Sequence, residues 1–357
     1  MDAVIICRTD HSPPIAGVSL LDRQVVALHR GGCEKVTVVG SRWVPGTPRA
    51  SAHGYEVSRV TEMAPLAEPT LVVAEDVMLE KTDVARLIKT GGRLVSAEGM
   101  QLDAGVVTGS LDELDYRLDE LDKVRAEGVT MKIRDQEDAW WAAQDLWSRL
   151  GSSTDGLVDT WFNRPLGRYL SKLLAIYTNV SPNQVSIFAI CIGVLAGMGF
   201  AVGGYWPALI GAILLQLSAT IDCVDGDIAR IAFKESELGK WLDIVGDQVV
   251  HIAVFVGIGV GLWRMGVDAP VKELAISATI GVCISFAVVI RGMSLPASEE
   301  NAALHNLIDK MTNRDFSVVL VIMAAVNQLP LFLWAVGIGV HVFWVAALGV
   351  QLTGRKQ

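Results

Sequence analysis

The sequence lacks the marks of several protein classes. Its five cysteines, Cys7, Cys33, Cys191, Cys223 and Cys283, include no Cys-x-x-Cys pair and no framework spacing. That excludes a disulfide scaffold and predicts reduced, buried thiols in a cytosol-facing protein. Basic residues do not predominate: 30 Lys and Arg stand against 39 Asp and Glu, with a pI near 5.2. No basic face is available for a nucleic-acid partner, and none is expected. No signal peptide is expected either, because apolar Ala3–Cys7 is too short and Arg8 and Asp10 follow it closely. No internal repeat or low-complexity segment stands out.

Charge itself is missing from long stretches. None occurs between Lys172 and Asp222, nor from Phe316 to Gly354. A helix needs about 20 apolar residues to cross the hydrocarbon layer, so these stretches read as membrane spans. The hydrophobic fraction of 51% and mean hydropathy of +0.41 agree, and exclude a purely soluble enzyme or a disordered chain. Residues 1–150 differ, holding 17 of the basic and 24 of the acidic residues.

This first segment reads as a cytosolic α/β domain. Val4-Ile5-Ile6, Val36-Thr37-Val38-Val39, Leu71-Val72-Val73 and Leu94-Val95 are buried-strand runs. Helical patterns such as Ser19–Leu28, stopped by Gly31-Gly32, lie between them. Alternation of this kind predicts a parallel sheet with crossovers. A tryptophan-rich helix over 135–150 follows, then a linker over 151–156. Residues 157–178 place Trp161, Phe162, Leu166 and Tyr169 among Arg164, Arg168 and Lys172, the pattern of an amphipathic juxtamembrane helix lying on a membrane surface; the alternative is an ordinary domain helix.

Six spans fit the remainder, over 182–203, 206–230, 239–263, 270–292, 315–329 and 331–352. The break between the last two rests on Asn327-Gln-Leu-Pro330. One set of loops carries nearly all the Lys and Arg, the other only Arg264 and Lys272. The positive-inside rule makes the first set cytosolic. The fold class expected is therefore an α/β cytosolic domain followed by an all-α domain of six transmembrane helices with an N-terminal interfacial helix. The location expected is the cytoplasmic membrane, with both termini in the cytosol.

Ionisable groups within spans are functional candidates by default. Here Asp222 and Asp225 lie at i, i+3 near the end of the second span, and Asp243 and Asp247 at i, i+4 near the start of the third. Each pair shares a helix face. Antiparallel neighbours joined by a short loop bring both faces to one depth. Four carboxylates in a partly dry site need protons or cations to neutralise them. All-oxygen ligation favours Mg2+, Mn2+ or Ca2+, and two such ions would balance four charges and suit displacement at phosphorus. Gly226 permits a close approach, and Ala229 keeps that face small. Arg230 offers a fork for phosphate, and Gly239 opens the next helix opposite Gly226.

The run Asp222-x2-Asp225-Gly226-x2-Ala229-Arg230-x8-Gly239-x3-Asp243-x3-Asp247 resembles the signature of the CDP-alcohol phosphotransferase family at every fixed position. The resemblance extends over about 157–352 and includes the Ser181-Pro182-Asn183-Gln184 entry to the first span. It implies a six-helix membrane enzyme, usually a homodimer. Such enzymes transfer a phosphoalcohol group from a CDP-alcohol to an acceptor hydroxyl and release CMP. It also implies two Mg2+ ions, with Mn2+ or Ca2+ as substitutes, held by Asp222, Asp225, Asp243 and Asp247. Asp247 would act as the general base. Asn183, Gly226, Ala229, Arg230, Ser236 and Gly239 would line the nucleotide site. The donor alcohol stays open between a CDP-diacylglycerol-like lipid, CDP-archaeol and CDP-inositol.

Arg291, Lys310 and Arg314 fall in the same cytosolic set as the acids. They either bind an acceptor phosphate, as in inositol phosphate or glycerol phosphate, or merely set topology. His251, one turn past Asp247, either faces the site or packs between helices. Asp227 lies off the acidic face and is expected to pair with a basic residue in a loop.

In the first domain, residues 14–23 and Glu34–Gly40 resemble the sugar-nucleotidyltransferase fold, and Asp76 stands where that fold often places a metal ligand after a strand. The fusion is similar to bifunctional inositol-phosphate cytidylyltransferase and di-myo-inositol-phosphate phosphate synthase enzymes. The stretch Cys7–Pro13, however, has no glycine to let backbone amides approach a triphosphate, and no lysine. This domain is therefore expected to be degenerate. The rival readings are a divalent-cation transporter built on the aspartates, and a scaffold whose first domain recruits a separate CDP-alcohol synthase.

Overall fold

Short β-branched runs become the inner strands of the first unit. In the computed structural model, which describes residues 1–7, 13–40, 46–111, 114–151, 156–177, 180–293 and 316–353, the chain divides into two units. These are Met1–Leu150 with Ile231–Phe233, and Gly151–Arg230 with Lys234–Gln357.

The first unit contains strands β1 (Ala3–Cys7), β2 (Val36–Gly40), β3 (Val57–Val60), β4 (Leu66–Ala74), β5 (Val77–Met78), β6 (Arg93–Val95), β7 (Gln101–Gly109), β8 (Lys123–Arg125) and β9 (Met131–Lys132). Its helices are α1 (Leu20–Arg30), α2 (Pro48–Ala52), α3 (Lys81–Thr90), α4 (Leu114–Asp119) and α5 (Gln136–Arg149). Seven strands form one sheet in the order β3-β2-β1-β4-β7-β6-β8, and β5 pairs with β9. All four expected strands are present. The sheet is mixed rather than wholly parallel, because β7 inserts antiparallel between β4 and β6. Polar Gln101 and Asp103 alternate with buried Leu102 and Ala104, so β7 carries no β-branched run at its start.

Buried carboxylates in this unit hold backbone. Asp22 accepts from the amides of Arg49 and Ala50, at 2.9 and 2.8 Å, and so caps the first turn of α2. Asp83 accepts from the amides of Glu127 and Gly128 and from the Thr130 hydroxyl. The Ser19 hydroxyl accepts from the Asp22 amide and the Asp135 carboxylate from the amides of Glu137 and Asp138, capping α1 and α5.

The second unit is helical. A π-helical turn over Asp159–Asn163 leads into α6 (Arg164–Tyr177). Then come α7 (Pro182–Val202), α8 (Tyr205–Ile231), α9 (Glu237–Arg264), α10 (Val271–Met293), α11 (Phe316–Ala325) and α12 (Leu329–Thr353). Five of these, α7 to α10 and α12, are long and apolar enough to cross a membrane. This makes the chain a multi-pass membrane protein. The expected break in the last apolar run is present: Asn327 adopts φ +56° and α12 restarts at Leu329-Pro330. The described part of α11 has 10 residues, a rise of about 15 Å that falls short of the hydrocarbon thickness.

Two helix starts are locally encoded. Ser181 and Gln184 form a reciprocal capping box with Pro182 at the first turn of α7. The Ser236 hydroxyl accepts from the Gly239 amide, at 3.0 Å, to open α9.

Glycines then press α7 against α9. A Cβ on Gly257 would lie 2.1 Å from the Gly197 carbonyl oxygen, and one on Gly261 2.0 Å from that of Phe200. On α7, a Cβ on Gly193 would meet Val250 at 2.5 Å and one on Gly197 would meet the Ala253 oxygen at 2.6 Å. Gly193 and Gly197, and Gly257 and Gly261, are spaced as small-xxx-small pairs. Such pairs let membrane helices approach where no hydrophobic force drives them together.

Candidate metal and nucleotide site

The last turns of α8 and the first turns of α9 lie side by side. Asp222, Asp225 and Asp243 each offer one carboxylate oxygen within a cluster no wider than 4.8 Å. Asp225 is buried, and the Ser186 hydroxyl of α7 donates to its carboxylate. Three oxygens from two helices at this spacing suit a hard divalent cation and are hard to reconcile with three bare charges. Asp247 is not part of this close group. It sits one turn further along α9, about 6 Å up the helix axis.

A second convergence lies at the helix starts. A Cβ on Gly239 would meet Asn183 Oδ1 at 3.0 Å and Ser236 Oγ at 3.1 Å. Three of the expected nucleotide-site residues, Asn183, Ser236 and Gly239, are thus drawn together from α7 and α9, around a position where an added Cβ would crowd both side chains.

Arg230 behaves differently from the expectation of a free phosphate fork. Its Nη2 donates to Asp227 at 2.9 Å, and its guanidinium folds over Gly226, 3.1 Å from where a Cβ would be. Asp227, fully buried, also takes Arg164 of α6 at 2.8 Å. It is therefore a partner for basic residues as expected, but within a helix rather than a loop, and it links α6 to α8. Ala229 is half-buried on α8. His251 stacks on Phe255, with centroids 6.1 Å apart, and lies tilted against Phe316 at 4.9 Å, the packed alternative of the two open for it. Arg291 lies in an apolar groove between α10 and α12. Lys310 and Arg314 lie outside the described residues.

A polar chain inside the helical unit had no counterpart in the sequence reading. Asn163, fully buried in the π-helical turn, donates to Asp159 at 2.8 Å. Its oxygen accepts from Gln216 at 2.6 Å and from Thr220 at 3.0 Å, and Gln216 in turn accepts from Ser317. These groups tie the juxtamembrane segment and α11 to α8 two residues before Asp222. An isolated Asn, Gln or Thr in an apolar stretch was the available signal. Ser186, one turn inside α7, carried a weaker one.

In the first unit Asp76 is engaged by Lys132, whose ammonium bridges Asp76 at 3.1 Å and Asp103 at 3.0 Å. Hydrogen bonding to Asp103, offset in part by burial and aided by Asp76, holds that ammonium above its ordinary pKa.

The geometry defines a class: a multi-pass helical membrane protein with three carboxylates gathered where two spans meet. Residues 179–353 match the model of the family described as CDP-alcohol phosphatidyltransferase. Its curated relatives include the Aquifex aeolicus bifunctional IPC transferase and DIPP synthase, 33% identical over 100 residues, 28% of this chain and 22% of that protein. The Rubrobacter xylanophilus protein of the same name is 26% identical over 316 residues, 69% of this chain and 72% of the relative. Archaetidylinositol phosphate synthase of Pyrococcus horikoshii is 32% identical over 98 residues, 28% of this chain and 50% of that one. Across the Aquifex, Thermococcus and Archaeoglobus bifunctional relatives, the match spans only 22%, 38% and 24% of their length. A solved structure, Mycobacterium tuberculosis phosphatidylinositol phosphate synthase with CDP-DAG bound, is 17% identical, with a TM-score of 0.36 over 55% of this chain and 92% of that one.

Proposed function

We propose that the protein is an integral-membrane CDP-alcohol phosphotransferase. The observation that carries the reading is the meeting of Asp222, Asp225 and Asp243 from α8 and α9 inside the family-matching segment. An acceptor hydroxyl attacks the phosphorus that bears the donor alcohol. The bond from that phosphorus to the bridging oxygen breaks, and CMP leaves with the electron pair. Asp247 takes the proton of the attacking hydroxyl. Asp222, Asp225 and Asp243 hold Mg2+ or Mn2+, which neutralises the diphosphate when bound. The Ser186 hydroxyl fixes the rotamer of Asp225. Asn183, Ser236 and Gly239 form the cleft that admits the cytidine moiety.

The acceptor is proposed to be a polyol phosphate such as inositol phosphate, a reading supported by the name of the Pyrococcus relative, archaetidylinositol phosphate synthase. The donor carries the CDP group on a lipid or an inositol. Further parts of the reading are a homodimer, six crossings, α6 lying along the cytosolic membrane surface, and a cytosolic first unit. That unit is proposed to have lost nucleotidyl transfer, a reading supported by the ammonium of Lys132 lying between Asp76 and Asp103.

The test is CMP release by purified protein in nanodiscs, with CDP-diacylglycerol or CDP-inositol and inositol phosphate, with and without Mg2+. Metal-dependent release that falls by orders of magnitude in Asp243→Asn is expected. Full activity of Asp243→Asn and Asp247→Asn, or cation flux into proteoliposomes without any nucleotide, would overturn the assignment.

A further inference from the structure

The π-helical turn before α6 is tied to α8 by two consecutive residues. Arg164 reaches Asp227 at 2.8 Å. Asn163, fully buried, takes Gln216 and Thr220 on its side-chain oxygen, at 2.6 and 3.0 Å. Gly167 of α6 approaches so closely that a Cβ on it would stand 3.1 Å from the Thr220 carbonyl oxygen. Thr220 and Asp227 flank the turns of α8 that carry Asp222 and Asp225, so the π-helical turn is fixed alongside the acidic cluster.

The direction of the hydrogen bonds follows from their end point. A carboxylate only accepts, so Asp159 takes the amide nitrogen of Asn163 at 2.8 Å. That leaves the Asn163 oxygen for the Gln216 amide, and the Gln216 oxygen for the Ser317 hydroxyl of α11 at 2.8 Å. Three donors in a row thus point at one buried carboxylate, and bonds aligned in this way reinforce one another in a low-dielectric interior. A buried carboxylate is costly, and apolar side chains would join the same three elements without it. Its surroundings give the charge a use. Asp247 lies in the field of Asp159 as well as in those of Asp243 and Asp225. The other end of the chain returns to the same place: Phe316, next to Ser317, lies 4.9 Å from the ring of His251, one turn past Asp247.

We propose that Asp159 is a positioning residue for the general base, an anionic backstop that the chain from Ser317 holds beside Asp247. Repulsion between like charges leaves the Asp247 carboxylate those orientations that point away from the π-helical turn. Asn163, Gln216 and Ser317 fix the rotamer of Asp159 and touch no reacting atom. The inference rests on the role given to Asp247 under the proposed function.

The test measures CMP release by the full chain in nanodiscs, with CDP-diacylglycerol or CDP-inositol and inositol phosphate, and reads kcat, the donor KM, the Mg2+ concentration for half activity and the melting temperature. Asp159→Asn is isosteric and still accepts from Asn163, so it should melt like wild type. Its kcat should fall about 10- to 100-fold, with the donor KM and the Mg2+ requirement within about twofold of wild type. The exchange of Asp159→Asn together with Asn163→Asp keeps the hydrogen bonds: the amide at 159 donates to the carboxylate at 163, which still accepts from Gln216 and Thr220. It moves the charge by about one helical turn, and should melt like wild type yet stay as slow as Asp159→Asn. An exchange variant with wild-type kcat would make the chain purely structural and overturn the proposal. So would an Asp159→Asn variant whose kcat is unchanged, or whose loss appears wholly as a higher donor KM or Mg2+ requirement. A wild-type protein that releases no CMP, or an Asp247→Asn variant as active as wild type, would overturn the reading of the site and this inference with it, and neither result depends on the Asp159 variants.

Discussion

Replacing Gly257 by alanine tests whether backbone contact between α7 and α9 sets the geometry of the acidic site. The added Cβ would lie 2.1 Å from the Gly197 carbonyl oxygen, against the 3.0 Å that real Cβ atoms keep. The obstructing atom is backbone, so no rotamer change relieves the clash. The helices must part by about 1 Å. Overpacking of this kind costs about 1–3 kcal/mol. The same displacement moves Ser186 and Asn183 of α7 relative to Asp243 and Gly239 of α9. A misplacement near 1 Å at reacting groups lowers rates by about 10²-fold. The assay is CMP release in nanodiscs at saturating Mg2+, together with the melting temperature. Gly339→Ala on α12, where a Cβ meets nothing within 4 Å, is the control and should match wild type. A Gly257→Ala protein with wild-type rate and melting temperature would refute the claim that the glycine seam positions the site.

Ser186→Ala removes the donor that orients Asp225 and should slow CMP release about tenfold through the metal requirement, raising the Mg2+ concentration needed for half activity, measured by Mg2+ titration. Arg164→Met leaves buried Asp227 with Arg230 alone and should destabilise the helical unit by about 3 kcal/mol, read as a lower melting temperature. Burial pushes the thiols of Cys7 and Cys33 up to about 11, so at pH 8 only about one in a thousand is ionised; alkylation followed by mass spectrometry should find both unmodified. Lys132 titrates above its ordinary value in the folded chain, so its stabilisation is present below about pH 10 and is lost as pH rises through the folded pKa. Melting curves between neutral and alkaline pH should therefore fall more steeply for wild type than for Lys132→Met.

The four β-branched strand runs, the helices α1 and α5, and the positions of the long spans were legible because each rests on local pattern: period and apolar length. Three of the four aspartates meet as helix-face arithmetic requires. What stayed illegible depended on partners distant in sequence. Strand β7 takes its direction from β4 and β6, which its own residues do not specify. The engagement of Arg230 by Asp227 follows from their i, i+3 spacing, but the shared bond to Arg164 is a tertiary fact. The polar chain from Asp159 to Ser317 joins residues more than a hundred positions apart. The paired glycines of α7 and α9 were visible as spacing, yet which faces they join is settled only by packing.

The carbonyl-to-glycine seam has a mechanical consequence. Backbone meets backbone at Gly197, Gly257 and Gly261, and Val250 and Ile190 fill the space over Gly193 and Gly246, so α7 and α9 behave as one plank. Entry and exit of a bulky nucleotide-linked molecule then fall to the elements outside that plank, and any gating motion belongs to α6, to α8 and to the helices from α10 onward.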